Sequence, residues 1–391
     1  MIKLVRILLV IALVATTAEI AKGQATTSGA NTITTAVPFL SITPDSRAGG
    51  MGDAGVGTTP DLSSQHWNPA KYAFMESEMG VSLSYSPWLR NLVDDMNLAY
   101  LVGYKKIDDV QTVSSSLRYF SLGDIMFTSE FGEFMGQQSP NEFAIDLGYS
   151  RLLSEVFSGS VTVRYIRSDL TGGQLINGVE SKPGNSYAAD VAFYYFNEFR
   201  ANRRDNSFSA GINIQNIGAK ISYTDGEVKD FIPTMLKLGA AYTTELDTYN
   251  KFTFAFEANK LLVPTPPKDT TLFEDGAVIY PGGINSDKSV IAGVFSSFGD
   301  APGGMKEELQ EINLSAGVEY WYNNQFALRA GYFWEHENKG NRKFLTAGAG
   351  FRMNVFALDF SYLLPTQRNH PLENTLRFTL SFDVEAFGNQ R

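Results

Sequence analysis

Apolar and polar residues alternate along most of this chain with a period of two. In the stretch LRFTLSFD, residues 376–383, every second side chain is Leu or Phe and the others are polar or charged. Residues 252–259 and 325–334 follow the same pattern, with rows of aromatic side chains on one face. A soluble β-sandwich also alternates, but a full-length aromatic row on nearly every strand is typical of a barrel whose outer face contacts lipid. The pattern therefore predicts an all-β chain that forms a transmembrane antiparallel barrel.

Counting these segments predicts about fourteen strands, an even number as in bacterial single-chain barrels. After the first hairpin the connections alternate in length: 107–109 and 246–249 are short, whereas 122–140 and 261–308 are long. Short turns on one side and long loops on the other predict an outer-membrane barrel with extracellular long loops and both termini in the periplasm. The predicted strands are 79–88, 96–106, 110–121, 141–153, 155–168, 187–197, 206–217, 232–245, 250–260, 309–322, 324–336, 342–352, 354–364 and 374–384.

The first 23 residues have the features of a signal peptide. Lys3 and Arg6 precede the apolar run Ile7–Ala15, and Ala21-Lys22-Gly23 forms a small-x-small cleavage site. The apolar run is shorter than the roughly 20 residues that a membrane-spanning helix needs. Residues 1–23 are therefore predicted to be removed on export.

Two further segments precede the first predicted strand. Residues 24–37 are mostly Thr, Ser, Ala and Asn, which predicts a flexible periplasmic tail. Residues 38–78 are glycine-rich but contain enough apolar side chains to pack. Because fourteen strands enclose a lumen too wide for their own side chains to fill, residues 38–78 are predicted to form a hatch inside the barrel, which spans 79–391.

The stretch GGMGDAGVGTTPDLSSQHWNPAKY, residues 49–72, looks at first like a phosphate-binding loop. Such a loop needs a preceding strand, a following helix and a lysine or acid at set spacing, and this context is missing here. Glycines also let a backbone pass close to a barrel wall at positive φ, which is the preferred interpretation. The predicted hatch residues are Arg47, Gly49, Gly50, Gly52, Asn68, Pro69 and Ala70.

Composition supports contact with lipid and excludes several classes of site. Charged residues make up 19% and aromatic residues 13% of the 391 residues. The formal charge of −10 argues against a nucleic-acid partner. The absence of cysteine excludes disulfides, thiolate metal sites and a lipid-modified N-terminal cysteine.

No pattern in the sequence predicts an enzyme or a cofactor. His66, His336 and His370 share no spacing that predicts a metal site, and no GxSxG motif is present. The charges on lumen-facing positions are predicted to pair with one another and with the hatch, as polar barrel interiors do. These are Arg164, Lys237, Glu257, Arg329, Arg352, Asp359 and Arg377.

Two long loops are too apolar for segments that contact only water. Loop 122–140 combines apolar and acidic residues, and residues 286–299 have the spacing of an amphipathic helix that ends at Gly299. This helix is expected to pack on the barrel mouth as a lid, to contact a partner, or both. The candidate partner-binding residues are Ile125, Met126, Phe127, Phe131, Phe134 and Met135 in the first loop and Val294, Phe295 and Phe298 in the second.

Two motifs carry a family resemblance. The run FLSITPDSRAGGMGDAGVGTTPDLSSQHWNPAKYAF and the later SFGDAPGGMKEELQEINLSAGVEYWYNNQFALRAGYF resemble the PorV family of the type IX secretion system of Bacteroidetes. The triplet Asn68-Pro69-Ala70 is similar to the hatch motif of the wider FadL family of fourteen-stranded transporters. The resemblance extends from about Pro38 to the end of the chain.

The resemblance implies a non-enzymatic outer-membrane protein, surrounded by lipid and lipopolysaccharide, that works with the large translocon barrel. In that family the protein binds the C-terminal signal domain of cargo and delivers the cargo to a sortase-containing attachment complex at the cell surface. The alternative function is a FadL-like channel for hydrophobic small molecules such as fatty acids. Fold alone does not decide between the two.

Overall fold

The computed structural model describes residues 31–90, 93, 95–128, 134–170, 172, 175–176, 179–201, 203–224, 229–266, 271–272, 278–279, 288–367 and 370–384. The predicted signal peptide and residues 24–30 lie outside the described residues.

Fourteen antiparallel strands of the described chain close into one barrel, in which the last strand pairs with the first. Each of the fourteen predicted strands is confirmed, with ends that differ by a few residues because terminal pairs extend or fray. The strands are β1 (Met79–Pro87), β2 (Asn97–Lys106), β3 (Gln111–Ser121), β4 (Asn141–Ser154), β5 (Phe157–Asp169), β6 (Gly184–Ala201), β7 (Arg204–Gly218), β8 (Met235–Glu245), β9 (Asn250–Leu261), β10 (Ile312–Tyr322), β11 (Phe326–Trp334), β12 (Lys343–Met353), β13 (Phe356–Pro365) and β14 (Leu376–Asp383).

The wall is polar inside and apolar outside. Along β3 every second residue is buried, including Ser116 and Arg118, while Leu117 and Tyr119 between them are exposed. Buried polar and exposed apolar residues alternate because the lumen side is filled and the other side is the surface that faces lipid.

The two ends of the barrel differ in the length of their connections. Tight connections such as 155–156 and 354–355 join strands at one end, which we call the short-turn end. Asn323, Asn324 and Asn354 adopt positive φ in these turns, a conformation that Asn tolerates and that matches the twist of hairpin strands. The long-loop end carries the connections 88–96, 122–140, 170–183, 219–234, 262–311, 335–342 and 366–375.

Short helices occur in the N-terminal segment and in the longest loop. The α-helices are α1 (Ser46–Gly49), α2 (Ser64–Trp67), α3 (Val290–Ser296) and α4 (Met305–Gln310), and 3-10 turns span Pro38–Ser41 and Pro69–Phe74. Small hairpins in the long loops, which the sequence did not predict, pair Ile125–Thr128 with Phe134–Gln138, Leu175–Ile176 with Val179–Glu180 and Thr271–Leu272 with Val278–Ile279. Among the helices of the described residues, none is long and apolar enough to cross a membrane.

Residues 31–78, which we call the lumen segment, run lengthwise through the barrel. Asn31 is bonded to Asn338 and to Glu307 at the long-loop end, whereas Met79 begins β1 at the short-turn end. This corrects the prediction for part of 24–37: residues 31–37 are packed at the end opposite to the start of β1, and Val37 is 1% exposed. Their polar composition suggested a solvated tail, but the neighbouring loops satisfy Asn31 instead.

Candidate functional site: the filled lumen and the long-loop cavity

The glycines of the lumen segment lie directly against the backbone of the barrel wall. Gly52 has φ +71, and a Cβ there would lie 2.6 Å from the backbone nitrogen of Tyr332. A Cβ on Gly50 would lie 3.2 Å from the Cα of Gly348. Because strand backbone fills the space in front of these glycines, they serve close packing and leave no room for a phosphate.

Glycines of the barrel wall also allow close approach of the lumen segment, and this role was not predicted from the sequence. A Cβ on Gly317 of β10 would lie 2.5 Å from the carbonyl oxygen of Met51, and one on Gly331 of β11 would overlap the backbone of Met51 and Gly52. The sequence feature that could have identified these glycines is the Ala-Gly pair that recurs in LSAGVEY, LRAGYF and LTAGAGF. Each of these strands thus presents a glycine where the lumen segment passes.

The triplet Asn68-Pro69-Ala70 fixes the lumen segment to β5 and β6. Asn68 is fully buried; its side-chain oxygen accepts from the Ala70 nitrogen at 3.1 Å, and its amide donates to the Phe193 carbonyl at 3.0 Å. The Ala70 carbonyl accepts from the Ser158 hydroxyl at 2.7 Å. Asn68 therefore caps the 3-10 turn that Pro69 begins and binds the wall at the same time.

Arg47 is the centre of an ion-pair network between the lumen segment and the wall. Its guanidinium contacts Asp61 at 2.9 Å and Glu319 of β10 at 2.8 Å. Glu319 also pairs with Arg329 at 2.7 Å, and Arg329 pairs with Asp359 at 2.6 Å. Shared donors and acceptors of this kind compensate for the removal of each charge from water.

Other lumen charges also pair as predicted. Arg164 contacts Asp146 at 2.6 Å and Asp190 at 3.0 Å, all three on the inner face of β4 to β6. Glu257 of β9 accepts from the backbone nitrogens of Gly55 and Val56 at 2.8 and 2.9 Å.

Arg352 and Lys237 were predicted to form ion pairs in the lumen, but they contact aromatic rings instead. Arg352 lies over the ring of Trp321, 5.0 Å from its centroid. The Lys237 ammonium lies 4.6 Å from the ring centroid of Trp67, and none of the ion pairs among the described residues includes it. Cation–π contact therefore replaces ion pairing at these two positions.

The lumen segment separates two cavities. The cavity at the long-loop end, of about 960 Å³, has apolar walls that include Trp88, Phe120 and Leu372. The cavity at the short-turn end, of about 690 Å³, is lined by charged residues that include Arg47 and Glu319.

The floor of the long-loop cavity presents hydrogen-bond donors that have no partner. His66 Nδ1 lies 2.5 Å from the Arg118 guanidinium, so the proton resides on Nε2, which has no partner among the described residues. Arg377 pairs with Asp53 through Nη2 at 3.8 Å, but its Nε and Nη1 are without acceptors in the described chain, although the residue is 1% exposed. Lys237 and Asp53 also line this cavity. Unpartnered buried donors beneath apolar walls suit a ligand with an acidic group and an apolar body.

The helix α3 exposes the apolar side chains that were expected to pack on the barrel mouth, to contact a partner, or both. Phe295 is 74% and Ile291 67% exposed, Phe298 is also exposed, and Val294 is half-buried. The contact with the barrel loops is made by buried Gly293, which lies against Phe231. These side chains therefore do not hold a lid in place.

The loop 122–140 forms the first of the small hairpins. Ile125 is exposed and Met126 is 70% exposed. Phe127, Phe134 and Met135 belong to the two strands of this hairpin, and Phe131 lies outside the described residues. The structure does not bring this hairpin and α3 together through any described contact.

The histidines occupy separate places. His66 lies in the lumen, and His336 and His370 lie in two different long loops. Within the described residues, no three His, Cys, Asp or Glu side chains are grouped so that they would hold a metal ion.

A closed fourteen-stranded barrel with an apolar outer wall and a lumen filled by its own N-terminal segment defines the class as an outer-membrane β-barrel. The family model described as Type IX secretion system protein PorV matches residues 25–268, more than half of the chain. The chain therefore belongs to the PorV family of type IX secretion system proteins.

Several solved barrels are similar in fold. The toluene transporter TodX of P. putida is 11% identical with a TM-score of 0.48, over 87% of this chain and 98% of TodX. A FadL homologue of Pseudomonas aeruginosa is 11% identical with a TM-score of 0.43, over 90% of this chain and 99% of the homologue. The toluene transporter TbuX of Ralstonia pickettii is 9% identical with a TM-score of 0.44, over 86% and 97% of the two chains. No curated protein matches the chain at a significant level.

Proposed function

We propose that this protein is a non-enzymatic cargo shuttle of the type IX secretion system. It binds the C-terminal signal domain of cargo that leaves the large translocon barrel and delivers the cargo to the sortase-containing attachment complex. Membership of the PorV family supports this role. The observation that carries it is the long-loop cavity, a preformed site of about 960 Å³ with unpartnered donors on its floor.

The orientation in the membrane follows from the same role. The long-loop end faces outward, so the cavity opens toward the cell surface, and the last strand ends on the periplasmic side. Residues 1–23 are the signal peptide that directs export of the chain and is then removed. Lipid and lipopolysaccharide surround the wall.

Residues 38–78 act as a hatch that stays in place during cargo transfer. The packing of Gly52 and Gly331, the Arg47 network and the Asn68 contacts support a fixed plug. Cargo therefore reaches the cavity from the long-loop end and does not pass through the lumen.

The exposed apolar residues of the loops contact the partners. Phe295, Ile291 and Met126 lie in loops of the long-loop end, beyond the strands that cross the bilayer, so lipid contact does not explain their exposure. Large exposed apolar side chains outside the lipid-facing wall are characteristic of protein interfaces.

Purification of the intact protein from its native membrane tests the role. We expect a large barrel and cargo chains that still carry the C-terminal signal to copurify with it. Lys237→Met, which removes a floor cation and keeps the apolar stem, should reduce cargo recovery roughly tenfold. Lys251→Met is the matched control, because Lys251 lines the other cavity and pairs with Glu245.

The alternative is a channel for hydrophobic small molecules, which the apolar walls of the same cavity favour. A channel would copurify with fatty acid or a similar ligand, and Lys237→Met would reduce its uptake without leaving cargo in the periplasm. Native preparations with such a ligand, but without signal-bearing cargo or a large barrel, would show that the shuttle role is wrong.

A further inference from the structure

Residues 31–37, which we call the mouth strap, lie across the opening of the long-loop cavity. Most of them line the cavity. The backbone nitrogen of Asn31 donates to the Asn338 carbonyl at 2.9 Å, and that of Ala36 donates to the Phe231 carbonyl at 2.9 Å. The strap therefore joins the loops 335–342 and 219–234 by donating to a backbone carbonyl group of each.

The side chain of Asn31 anchors the first end of the strap. Its amide donates to Glu307 Oε1 and to the Pro266 carbonyl, each at 3.0 Å, and the residue is 8% exposed. Glu307 in turn pairs with Lys339 at 2.9 Å.

Further ion pairs join the residues around this anchor to one another. Lys339 also pairs with Glu311 at 2.9 Å, and Lys260 binds Glu311 at 2.5 Å. Burial alone would raise the pKa of Glu311, but hydrogen bonds from Lys260, Thr265 and Lys339 lower it below its ordinary value. The carboxylate therefore stays ionised, and the anchor of the strap is a fixed structure.

Between its ends the strap is weakly held. Within the described residues, Thr32, Ile33, Thr34 and Thr35 make no hydrogen bond, and Thr32 and Thr34 are exposed. Val37 adopts φ 47 and ψ 51, a left-handed conformation that is unfavourable for a β-branched residue. A segment with few bonds and a strained residue opens more readily than the hatch below it.

We propose that the mouth strap is an internal competitor for the cargo site, which a strand-like polypeptide segment of the cargo signal displaces. The strap is itself a polypeptide whose N–H groups bind the carbonyls of Asn338 and Phe231, and an incoming chain presents the same N–H groups. A small apolar ligand has no N–H groups to replace these bonds. The inference rests on the proposed function, since it names how cargo enters the same cavity.

Affinity for cargo then depends on the fraction of molecules in which the strap is displaced. Asn31→Ala removes both side-chain bonds of the anchor, so affinity for the purified C-terminal signal domain of a type IX cargo should rise about three- to tenfold. Asn185→Ala is the matched control, because this asparagine bonds Tyr165 and the Pro183 carbonyl without touching the strap.

A second measurement reports on the strap directly. The chain has no cysteine, so Ile33→Cys provides a single thiol whose reaction rate with a maleimide measures displacement of the strap. The rate should rise when the signal domain is added and should also rise in the Asn31→Ala background without cargo. Thr248→Cys, exposed in the short connection 246–249 at the opposite end of the barrel, should react at the same rate throughout.

Two outcomes distinguish the competitor role of the mouth strap from the proposed shuttle role. If wild-type protein binds the signal domain, but Asn31→Ala leaves both affinity and the Ile33→Cys rate unchanged, the strap is not a competitor and the proposed function stands. If neither protein binds the signal domain, the shuttle role fails and the competitor role fails with it.

Discussion

The lumen segment and the long-loop helix α3 have opposite relations between composition and burial. The lumen segment is rich in glycine and charge, yet Arg47, Asn68 and Lys71 are fixed by hydrogen bonds inside the barrel. The helix α3 is apolar, yet Phe295 is 74% exposed. The barrel thus buries polar residues to fill its lumen, whereas its loops leave large apolar side chains exposed, which we propose contact a partner.

The largest effect that this contrast predicts is at Gly331. A valine there would overlap the backbone of Met51 and Gly52, which cannot move without losing other wall contacts. We expect Gly331→Val to abolish the faster-migrating folded band in unboiled electrophoresis of outer membranes. Gly299→Val is the control, since no atom lies within 4 Å of the added Cβ. Equal folded amounts in both variants would show that the lumen segment is not packed against this strand.

The next largest effect is the loss of stability when a buried ion pair of the lumen is broken, compared with an exposed ion pair. Arg164→Leu leaves the buried carboxylates of Asp146 and Asp190 without their cation, and such a loss typically costs about 3–5 kcal/mol. Denaturant unfolding in vesicles should show this loss. Arg200→Leu breaks an exposed pair with Asp205 and should change stability little. Similar losses in the two variants would contradict the ion pairing of buried charges in the lumen.

A smaller effect is expected at the triplet that begins the 3-10 turn. Asn68→Ala removes the cap to Ala70 and the bond to the Phe193 carbonyl, which together contribute about 1–2 kcal/mol. The same unfolding measurement tests this value. Asn97→Ala, which loses one exposed bond to the Asp95 carbonyl, provides the baseline. A loss no larger than this baseline would mean that the triplet does not fasten the lumen segment.

The smallest effect on the barrel, and a large effect on partners, is expected at Phe295. Phe295→Asp places a charge where water already has access, so the folded band should be unchanged. In a desolvated interface the same charge is costly, and recovery of the translocon or cargo should fall by about a hundredfold. Thr248→Asp, exposed in the short connection 246–249 at the opposite end of the barrel, should not affect recovery if partners contact only the long loops. Full recovery of both partners with Phe295→Asp would show that α3 does not contact them.

Strands and loop lengths were predictable from the sequence because they depend on local pattern. Alternation in 376–383 identifies β14, and the tight turn at Asn323 and Asn324 follows from a residue type that tolerates positive φ. Helix α3 was predictable from the spacing of its apolar residues. Which of its faces is exposed was not predictable. Periodicity separates two faces of a helix without saying which one meets the barrel.

The arrangement inside the lumen depends on contacts between distant residues. Asn31 binds Glu307, which is 276 positions away, so its polar neighbours suggested a free tail. The unpartnered donors of His66 and Arg377 line the same cavity because α2 and β14 both reach it. No local pattern places these residues together.

The most direct test of the shuttle role asks which cavity contacts cargo in the cell. A photoreactive benzoyl-phenylalanine at Leu372 lies in the wall of the long-loop cavity, and the same group at Phe196 lies in the wall of the short-turn cavity. We expect irradiation to crosslink Leu372 to cargo that still carries its C-terminal signal, while Phe196 gives no such product. Crosslinking of cargo at Phe196 alone, or no cargo at Leu372 while a fatty acid copurifies, would rule out cargo binding in the long-loop cavity.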